Sequence, residues 1–599
     1  MTAEAIPEAV PGAAASGDAA PASAELVLES VGIRYVGGRQ SALDAVDLTV
    51  RPGDRIGVAG RTGAGKSTLA LLAAGFIPRV VRAKVSGRAT LGAVALETSD
   101  GRSLLGRVGI VFSTPANQLS ASKLTVREEL AFGLENLGLP RSEMDGRIDA
   151  VLDRLGIAGL ADREPFALSG GEQQRVAIAS IVTMGTGLLV LDEPTAQLDP
   201  AGTTAVASLL ADLARDGTGI LCAEHDPAVL GGLDRCGVLD AGRLVVDDIP
   251  GRALSSERLG PIGLSAPTLV RLAEAAGIDP SRAFDEAAIA AGLGTGRGLR
   301  ERDVAADGSA GRGTDDVTVE WTPSPDRTPT QIAVEDLVHR YPTGLEALRG
   351  VSLSIEPGET VAIVGQNGSG KTTLVKHLNG LLRPTNGRVT LDGADVRDRP
   401  IHELAATVGF VFQNPDDQLF DRSVEREVAF GPRNLGRPSA IVAAAVEASL
   451  AAVGLTDVRR TNPYDLDLSR RKLVALASVL AMDPAALVLD EPTTGQDGPG
   501  VGRVGAAVDA FARSGRTVIA ITHDMEFAAR HFARIVVMRG GTVVADGPPE
   551  AVFAPDQAAL LRTAGLEPPP AARIGAALGL GSTPTLESLL VQLQAGGPA

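Results

Sequence analysis

The sequence contains few cysteines and no excess of basic residues, and both shortages exclude classes of protein. Cys222 and Cys236 are the only cysteines among 599 residues. Two thiols cannot form a disulfide framework, so we expect a reducing compartment. Lys and Arg together number 56 against 73 Asp and Glu, a formal net charge of −17. Because a nucleic-acid partner would favour a basic face, this balance argues against one.

The sequence also lacks a long apolar run. The longest uncharged candidate, residues 176–191, contains Met-Gly-Thr-Gly and is too short to cross a bilayer. We interpret it as a buried helix followed by a buried strand. The first residues are rich in Ala, Pro and Gly and have no basic start before an apolar run, so they do not match a secretory signal. We therefore expect cytosolic residence, with docking onto a membrane complex left open.

A phosphate-binding motif occurs twice in the chain. Residues 60–67 and 365–372 both follow the P-loop pattern GxxxxGK[ST], between a strand-like and a helix-like run. The glycines let backbone N–H groups turn toward phosphate oxygens, and the following helix adds its positive N-terminal dipole. The motif predicts these ATP-binding residues: Gly60, Arg61, Thr62, Gly63, Ala64, Gly65, Lys66, Ser67 and Thr68 in the first copy, and Gly365, Gln366, Asn367, Gly368, Ser369, Gly370, Lys371, Thr372 and Thr373 in the second.

Acidic pairs and histidines repeat along with the P-loops. Asp192-Glu193 is echoed by Asp490-Glu491 at an offset of 298, and His225 is echoed by His523 at the same offset. The chain is therefore an internal duplication. We predict six segments: a disordered tail at 1–24, nucleotide-binding domains at 25–250 and 329–550, helical appendages at 251–289 and 551–599, and a flexible linker at 290–328.

Each acidic pair ends an apolar strand, where a magnesium-linked carboxylate belongs. Asp192 and Asp490 are predicted to hold Mg²⁺ through water, with Ser67 and Thr372 as further ligands. Glu193 and Glu491 are positioned to polarise the attacking water.

Two further pairs of residues have predicted nucleotide contacts. His225 and His523 each follow a second apolar strand, and we expect each to contact the γ-phosphate. Tyr35 and Tyr341 precede their P-loops at similar spacing. They fit adenine stacking, and core packing is the competing interpretation. The appendages likewise have two interpretations, as plain helical caps or as partner contacts.

Residues 168–172, Leu-Ser-Gly-Gly-Glu, match the signature of ABC-type ATPases. With the P-loops and acidic pairs, the chain resembles an ABC transporter ATPase with two fused nucleotide-binding domains, over residues 25–250 and 331–550. The resemblance implies ATP and Mg²⁺ as cofactors. It also implies an α/β fold of two tandem P-loop domains, each with a RecA-like core, an antiparallel β subdomain and a helical signature subdomain. In that family ATP lies between the P-loop of one domain and the signature of the other, here Ser169, Gly170, Gly171 and Glu172.

A finer resemblance lies in residues 412–420, Phe-Gln-Asn-Pro-Asp-Asp-Gln-Leu-Phe. They are similar to the Q-loop of the ATPases of energy-coupling factor (ECF) transporters, which import vitamins or cobalt and nickel. The resemblance implies that Gln413 contacts Mg²⁺ and the water, and that the Asp-Gln-Leu-Phe run faces a membrane subunit. It further implies a peripheral protein on the cytoplasmic face of the membrane. Its partners would be a transmembrane coupling subunit and a small substrate-binding membrane subunit.

The two halves depart from the family pattern at different points. Ser113 stands where the first Q-loop needs glutamine. The offset of 298 aligns Ser169 with Asp467, and the next three signature residues with Leu468, Ser469 and Arg470. An aspartate repels a γ-phosphate, although Arg470 and Arg471 are alternative phosphate binders. We predict one hydrolytic site, the second P-loop with the first signature, and one degenerate site, the first P-loop with the altered signature.

Other functions remain compatible with parts of this pattern. A tandem sugar-importer ATPase is also fused and asymmetric, but the Q-loop run argues against it. A soluble ABC protein acting on the ribosome or DNA would favour basic surfaces and a charged helical linker. A regulator without a transporter is a further alternative. The substrate is recognised by another polypeptide in this family, so vitamins, among them thiamine and its pyrimidine precursor, and cobalt or nickel all stay open.

Overall fold

The computed structural model describes residues 25–294 and 328–595, apart from Arg39, Asp100 and Gln197. The predicted tail lies outside the described residues, as does most of the predicted linker. The helix Glu286–Gly294 extends into the first residues of that linker segment.

Among the described residues, each half of the chain contains ten strands. Those of the first half are β1 Leu26–Tyr35, β2 Leu43–Val50, β3 Arg55–Gly60, β4 Ala83–Leu91, β5 Val94–Ala95, β6 Val108–Val111, β7 Leu188–Asp192, β8 Gly219–Ala223, β9 Arg235–Asp240 and β10 Arg243–Asp248. Those of the second half are β11 Ile332–Arg340, β12 Glu346–Ile355, β13 Thr360–Val364, β14 Asn386–Leu391, β15 Ala394–Asp395, β16 Val408–Val411, β17 Ala486–Asp490, β18 Thr517–Ile521, β19 Arg534–Arg539 and β20 Thr542–Gly547.

The strands form the same two sheets in both halves. A four-stranded antiparallel sheet has the order β2-β1-β4-β5 in the first half and β12-β11-β14-β15 in the second. A six-stranded sheet has the order β10-β9-β3-β8-β7-β6 and its repeat β20-β19-β13-β18-β17-β16. Its strands are parallel except at the β9–β10 and β19–β20 edges. This confirms the predicted α/β core with an antiparallel β subdomain.

The helices lie around these sheets and form the remaining subdomains. The first half contains Lys66–Ala73, Val126–Asn136, Arg141–Arg154, Gly170–Val182, Pro200–Arg215, Pro227–Gly231, Pro250–Ala253, Ser256–Leu259, Thr268–Ala275 and Glu286–Gly294. The second half contains Lys371–Leu378, Ile401–Thr407, Val424–Asn434, Ser439–Ala452, Leu468–Leu480, Gly498–Arg513, Met525–His531, Pro549–Val552, Ala558–Thr563, Pro570–Ala577 and Leu586–Ala595.

The central strands are buried along their whole length. All five residues of β7, β8, β17 and β18 are buried. Continuous apolar runs of this kind are typical of parallel strands covered on both faces. The helix Gly170–Val182 followed by β7 also confirms our interpretation of residues 176–191. Because the strands are parallel, their carboxyl ends bring the P-loops and the acidic pairs to one edge.

The appendages join the two halves. The helix Pro570–Ala577 of the second appendage packs on Glu286–Gly294 and Thr268–Ala275 of the first half. Arg573 Nε donates to Glu286 Oε1 at 2.9 Å. Ile574 and Leu589 are fully buried in the core of the first half. Within the described residues, none of the helices has the length and apolarity needed to span a bilayer.

This packing predicts that the last helices stabilise the first half. Ile574→Ala should lower the free energy of unfolding by about 2–5 kcal/mol, because it leaves a cavity at a fully buried site. Thermal unfolding of the full chain measures the effect as a lower midpoint. Val591→Ala, on the exposed side of Leu586–Ala595, is the control. Equal midpoints for the two variants would contradict the packing described here.

Candidate functional site

Each P-loop connects a buried strand to a helix through a left-handed glycine. Gly65 and Gly370, with φ of 109° and 101°, immediately precede the helices Lys66–Ala73 and Lys371–Leu378. A Cβ on either glycine would lie 2.5 Å or 2.6 Å from a backbone carbonyl oxygen, that of Ala42 or Ala347. Only glycine fits such a position, so the motif's last glycine is dictated by the turn itself.

The P-loop lysines are buried and held by backbone carbonyls. Lys66 Nζ donates to the carbonyls of Gly60 at 2.9 Å and Arg61 at 3.2 Å. Lys371 Nζ donates to Gly365 and Gln366 in the same way, at 2.6 Å and 3.1 Å. Burial lowers the pKa of both lysines, and the neighbouring acidic pairs oppose this shift. Each loop thus presents a desolvated ammonium group where a phosphate would bind.

The predicted magnesium ligands lie close together in both halves. Ser67 Oγ donates to Asp192 Oδ1 at 3.1 Å, and Thr372 Oγ1 donates to Asp490 Oδ1 at 3.4 Å. Burial raises the pKa of Asp192 and of Asp490 to about 6, aided in each case by the adjacent glutamate. Paired hydroxyl and carboxylate oxygens are the hard ligands that Mg²⁺ prefers, and the ion also keeps waters of its own. These residues fit a magnesium site.

Each glutamate of the acidic pairs lies against the histidine of its own half, within ion-pair distance. His225 Nε2 lies 3.0 Å from Glu193 Oε1, and His523 Nδ1 lies 2.7 Å from Glu491 Oε2. Burial acts to raise the pKa of both glutamates, but the histidines and P-loop lysines outweigh it and the net shift is downward. The carboxylates therefore stay ionised, as a water-polarising group requires. The expected contact of the histidines with the γ-phosphate stays a prediction.

The remaining predicted residues lie around these centres. Tyr35 and Tyr341 are half-buried, and their hydroxyls lie 2.9 Å and 3.1 Å from the Oγ1 atoms of Thr68 and Thr373. Gln413 is exposed in the loop after β16. The adenine contact and the magnesium contact predicted for these residues stay predictions.

The signature position differs between the halves. Ser169 caps the helix Gly170–Val182 in a capping box with Glu172. Asp467 has the same place before Leu468–Leu480, and its Oδ1 accepts from the Arg470 N–H at 2.8 Å. Arg470 Nε lies 3.9 Å from the other carboxylate oxygen. The altered signature thus presents a carboxylate where the first signature presents a hydroxyl.

The P-loop of the first half is contacted by the second half. The Thr62 N–H donates to Asp497 Oδ2 at 2.7 Å. Asp497 also caps the helix Gly498–Arg513, and its charge acts on Lys66. Asp199, at the offset of 298, acts in the same way on Lys371 of the second P-loop. We did not single out either aspartate in the sequence, although the shared offset was a usable signal.

Two glutamines attach the Q-loops to the signature helices. Gln118 accepts from the Phe112 N–H at 3.1 Å and donates to the Ala177 carbonyl at 2.8 Å. Gln418 makes the same bonds with Phe412 and Ala475. Gln418 and the buried Leu419 therefore turn inward, whereas the resemblance implied an outward-facing run. Asp417 and Phe420 of the same run are exposed, so the run faces outward at those two positions. The physical reason for the inward turn of Gln418 is that the Phe412 N–H and the Ala475 carbonyl beneath it need partners.

Together these features define a pair of P-loop ATPase sites that use ATP and Mg²⁺. A family model described as ABC transporter matches residues 43–196 and 348–494. A protein of Methanosarcina acetivorans, named as an ABC transporter ATP-binding protein, is 38% identical over 556 residues, covering 92% of this chain and 90% of the relative. The chain therefore belongs to the ABC transporter ATP-binding family, and it is an ATPase.

Other similar proteins carry related names. A relative from Caldanaerobacter subterraneus, also named as an ABC transporter ATP-binding protein, is 32% identical over 536 residues, 88% of this chain and 92% of the relative. Among solved structures, cbiO1 from Clostridium perfringens, described as part of the ABC transporter complex cbiONQ, is 35% identical. It covers 42% of this chain and 98% of its own, with a TM-score of 0.36.

The raised pKa of Asp192 and Asp490 predicts that acid weakens magnesium binding. Below a pKa of about 6 a proton competes with the ion. We expect the Mg²⁺ concentration for half-maximal nucleotide binding to rise about tenfold between pH 7 and pH 5. A Mg²⁺ titration with a fluorescent ATP analogue measures this. In the double variant Asp192→Asn/Asp490→Asn, only the titration of the nucleotide remains. If the Mg²⁺ requirement of this variant changed with pH as much as that of the parent chain, the prediction would be wrong.

Proposed function

We propose that the chain energises an ECF-type importer of a vitamin, such as thiamine or its pyrimidine precursor, or of cobalt or nickel. In this proposal the halves form a head-to-tail pseudo-dimer with two composite ATP sites. The second P-loop and the first signature hydrolyse ATP, and the first P-loop and the altered signature mainly hold it. The observation that carries the asymmetry is Asp467 at the cap position that Ser169 has in the first half.

Contacts between the halves support the paired arrangement. Asp497 of the second half bonds to the first P-loop, and Asp199 of the first half acts on Lys371 of the second. The charge of each aspartate acts on the P-loop lysine of the other half, a reciprocal pattern expected of an isologous pair. Thr268 Oγ1 also donates to Glu526 Oε1 at 2.6 Å, beside the helix that follows His523.

The chemistry of the altered signature supports a loss of hydrolysis at the first P-loop. A serine hydroxyl can donate to a phosphate oxygen, whereas an ionised carboxylate can only accept. The carboxylate of Asp467 and the γ-phosphate would repel each other. Arg470 Nε lies 3.9 Å from Asp467 Oδ2 in an exposed ion pair, and in this proposal it offsets the repulsion only in part.

Packing behind the altered signature supports the same conclusion. Ser469 stands where the first half has Gly171, and its Oγ donates to Gln496 Oε1. Gln496 Nε2 in turn donates to the Ser469 carbonyl at 3.3 Å. Both residues are buried. These hydrogen bonds hold the altered signature against the segment that carries Asp497. The backbone of the altered signature is therefore less free to approach a phosphate.

An exposed aromatic surface supports a membrane partner. Phe420, Phe430 and Tyr464 are 57%, 44% and 48% exposed, and the two phenylalanine rings lie edge to face at 4.6 Å. Tyr464 Oη donates to the Leu419 carbonyl at 2.5 Å, which holds its ring beside the Q-loop. Exposed aromatic clusters of this kind are typical of interaction sites. At equivalent places the first half exposes Phe132 and Phe166.

The asymmetry predicts unequal effects of two matched substitutions. Glu491→Gln should abolish most steady-state ATP hydrolysis, because it removes the water-polarising carboxylate of the intact site. Glu193→Gln should leave much of it. The two glutamates have the same backbone conformation, with φ of 50°, and each lies against the histidine of its own half. Equal losses in the two single variants would sink the proposal of one hydrolytic site.

The aromatic surface predicts loss of the membrane partner on charge insertion. Phe420→Asp/Phe430→Asp should lower recovery of the chain with detergent-solubilised membrane subunits by roughly tenfold or more, since aromatic anchors dominate interface energies. Val591→Asp, at an exposed site on another helix, is the control. Parent chain recovered with ribosomes rather than with membrane subunits would overturn the transporter proposal.

A further inference from the structure

Lys472 is a buried lysine directly behind the acidic pair of the second half. It lies on the second signature helix, Leu468–Leu480, and its Nζ donates to the Glu491 carbonyl oxygen at 3.0 Å. A cavity of about 10 Å³ beside it is lined by Phe412, Lys472 and Glu491 among others. Lys472 thus lies at the junction of the Q-loop, the signature helix and the residue proposed to polarise water.

The first half has a different side chain at this place. At the offset of 298, Lys472 corresponds to Gln174, which is also buried. Gln174 Nε2 donates to the Phe112 carbonyl at 3.4 Å, on the Q-loop side, and its Oε1 has no hydrogen-bond partner within the described residues. The support of the glutamate backbone from the signature helix is therefore a feature of the second half.

The backbone of this glutamate is held in the same uncommon conformation in both halves, so the conformation itself does not depend on the lysine. Glu491 has a φ of 50°, in the left-handed region that favours glycine. On its amide side the bond is the same in both halves, from Glu491 N–H to the Ile521 carbonyl at 3.0 Å and from Glu193 N–H to the Ala223 carbonyl at 2.8 Å. The carbonyl side is where the halves differ.

We propose that Lys472 is a positioning residue for Glu491. Its bond to the carbonyl of Glu491 fixes that backbone and so keeps the Glu491 carboxylate aimed at the attacking water. This inference rests on the proposed hydrolytic role of the second site. The altered signature helix then has two separate effects. Its N-terminus does not support hydrolysis at the first P-loop, whereas Lys472 in its interior supports the glutamate of its own half.

A lysine at position 472 costs folding free energy, because its ammonium group is buried. Burial lowers the pKa of Lys472 to about 8, and Glu491 and Asp490 oppose that shift. A buried ammonium is costly unless it is paired and hydrogen-bonded. A methionine of similar length would pack at lower cost, so stability alone does not favour the lysine.

The test compares Lys472→Met with the matched control Gln174→Met, both in a Glu193→Gln background that isolates the second site. Lys472→Met should lower kcat for ATP roughly 10- to 100-fold, as loss of positioning does. It should leave KM and the thermal midpoint near those of Gln174→Met. Lys472→Gln, which installs the side chain that the first half has at this place, should have a kcat between those of Lys472→Met and Gln174→Met. In a Glu491→Gln background, single-turnover measurements should show no further loss from Lys472→Met, because the two residues act as a unit.

The outcomes separate this inference from the proposed function. An unchanged kcat in Lys472→Met overturns the inference. A lower kcat accompanied by a lower thermal midpoint or weaker ATP binding also overturns it, because a structural role would then explain the loss. If Glu193→Gln alone abolishes hydrolysis, the proposed asymmetry fails, and the same comparison made in the parent chain still decides the role of Lys472.

Discussion

The structure depends on burying a positive charge at the end of a central strand and surrounding it with backbone carbonyls and carboxylates. Lys66 and Lys371 are each held by two P-loop carbonyls. The acidic pair stands at the end of a strand two positions away in the sheet, and its charge acts on the lysine. Removing an ammonium group from water is costly unless oxygen atoms surround it. The P-loop conformation and the strand order must therefore place the carbonyls and the acidic pair around the lysine at the same time. The parallel sheet meets this constraint because it brings all the strand ends to one edge.

The same backbone supports two different sites. Both halves share the left-handed glutamate, its histidine and the glycine before the P-loop helix. Side chains at matching places differ: Asp467 for Ser169 at the helix cap, and Lys472 for Gln174 inside the helix. A duplicated fold can keep its shape while its chemistry diverges, because caps and buried polar contacts are set residue by residue.

Contacts across the halves join the two parts of the proposed degenerate site. Asp497 bonds to the first P-loop and caps its own helix, next to Gln496, which is bonded to the altered signature. The appendage helices add a second junction, where Ile574 is buried in the core of the first half. A change at the altered signature therefore has a bonded route to the first P-loop, through residues that neither P-loop motif contains.

The sequence by itself determined the duplication, the α/β class, the P-loops and the acidic pairs, because these follow from local patterns with a fixed spacing. It also indicated the exchange of Ser169 for Asp467, since one offset aligns the signature helix, the acidic pair and the histidine of the two halves. Only the tertiary structure decided which partners those residues meet. His225 lies against Glu193, and His523 lies against Glu491. Gln418 turns inward, and Lys472 donates to the Glu491 carbonyl. The physical reason is that hydrogen-bond partners are set by packing between segments far apart in the chain, which spacing along the sequence does not encode.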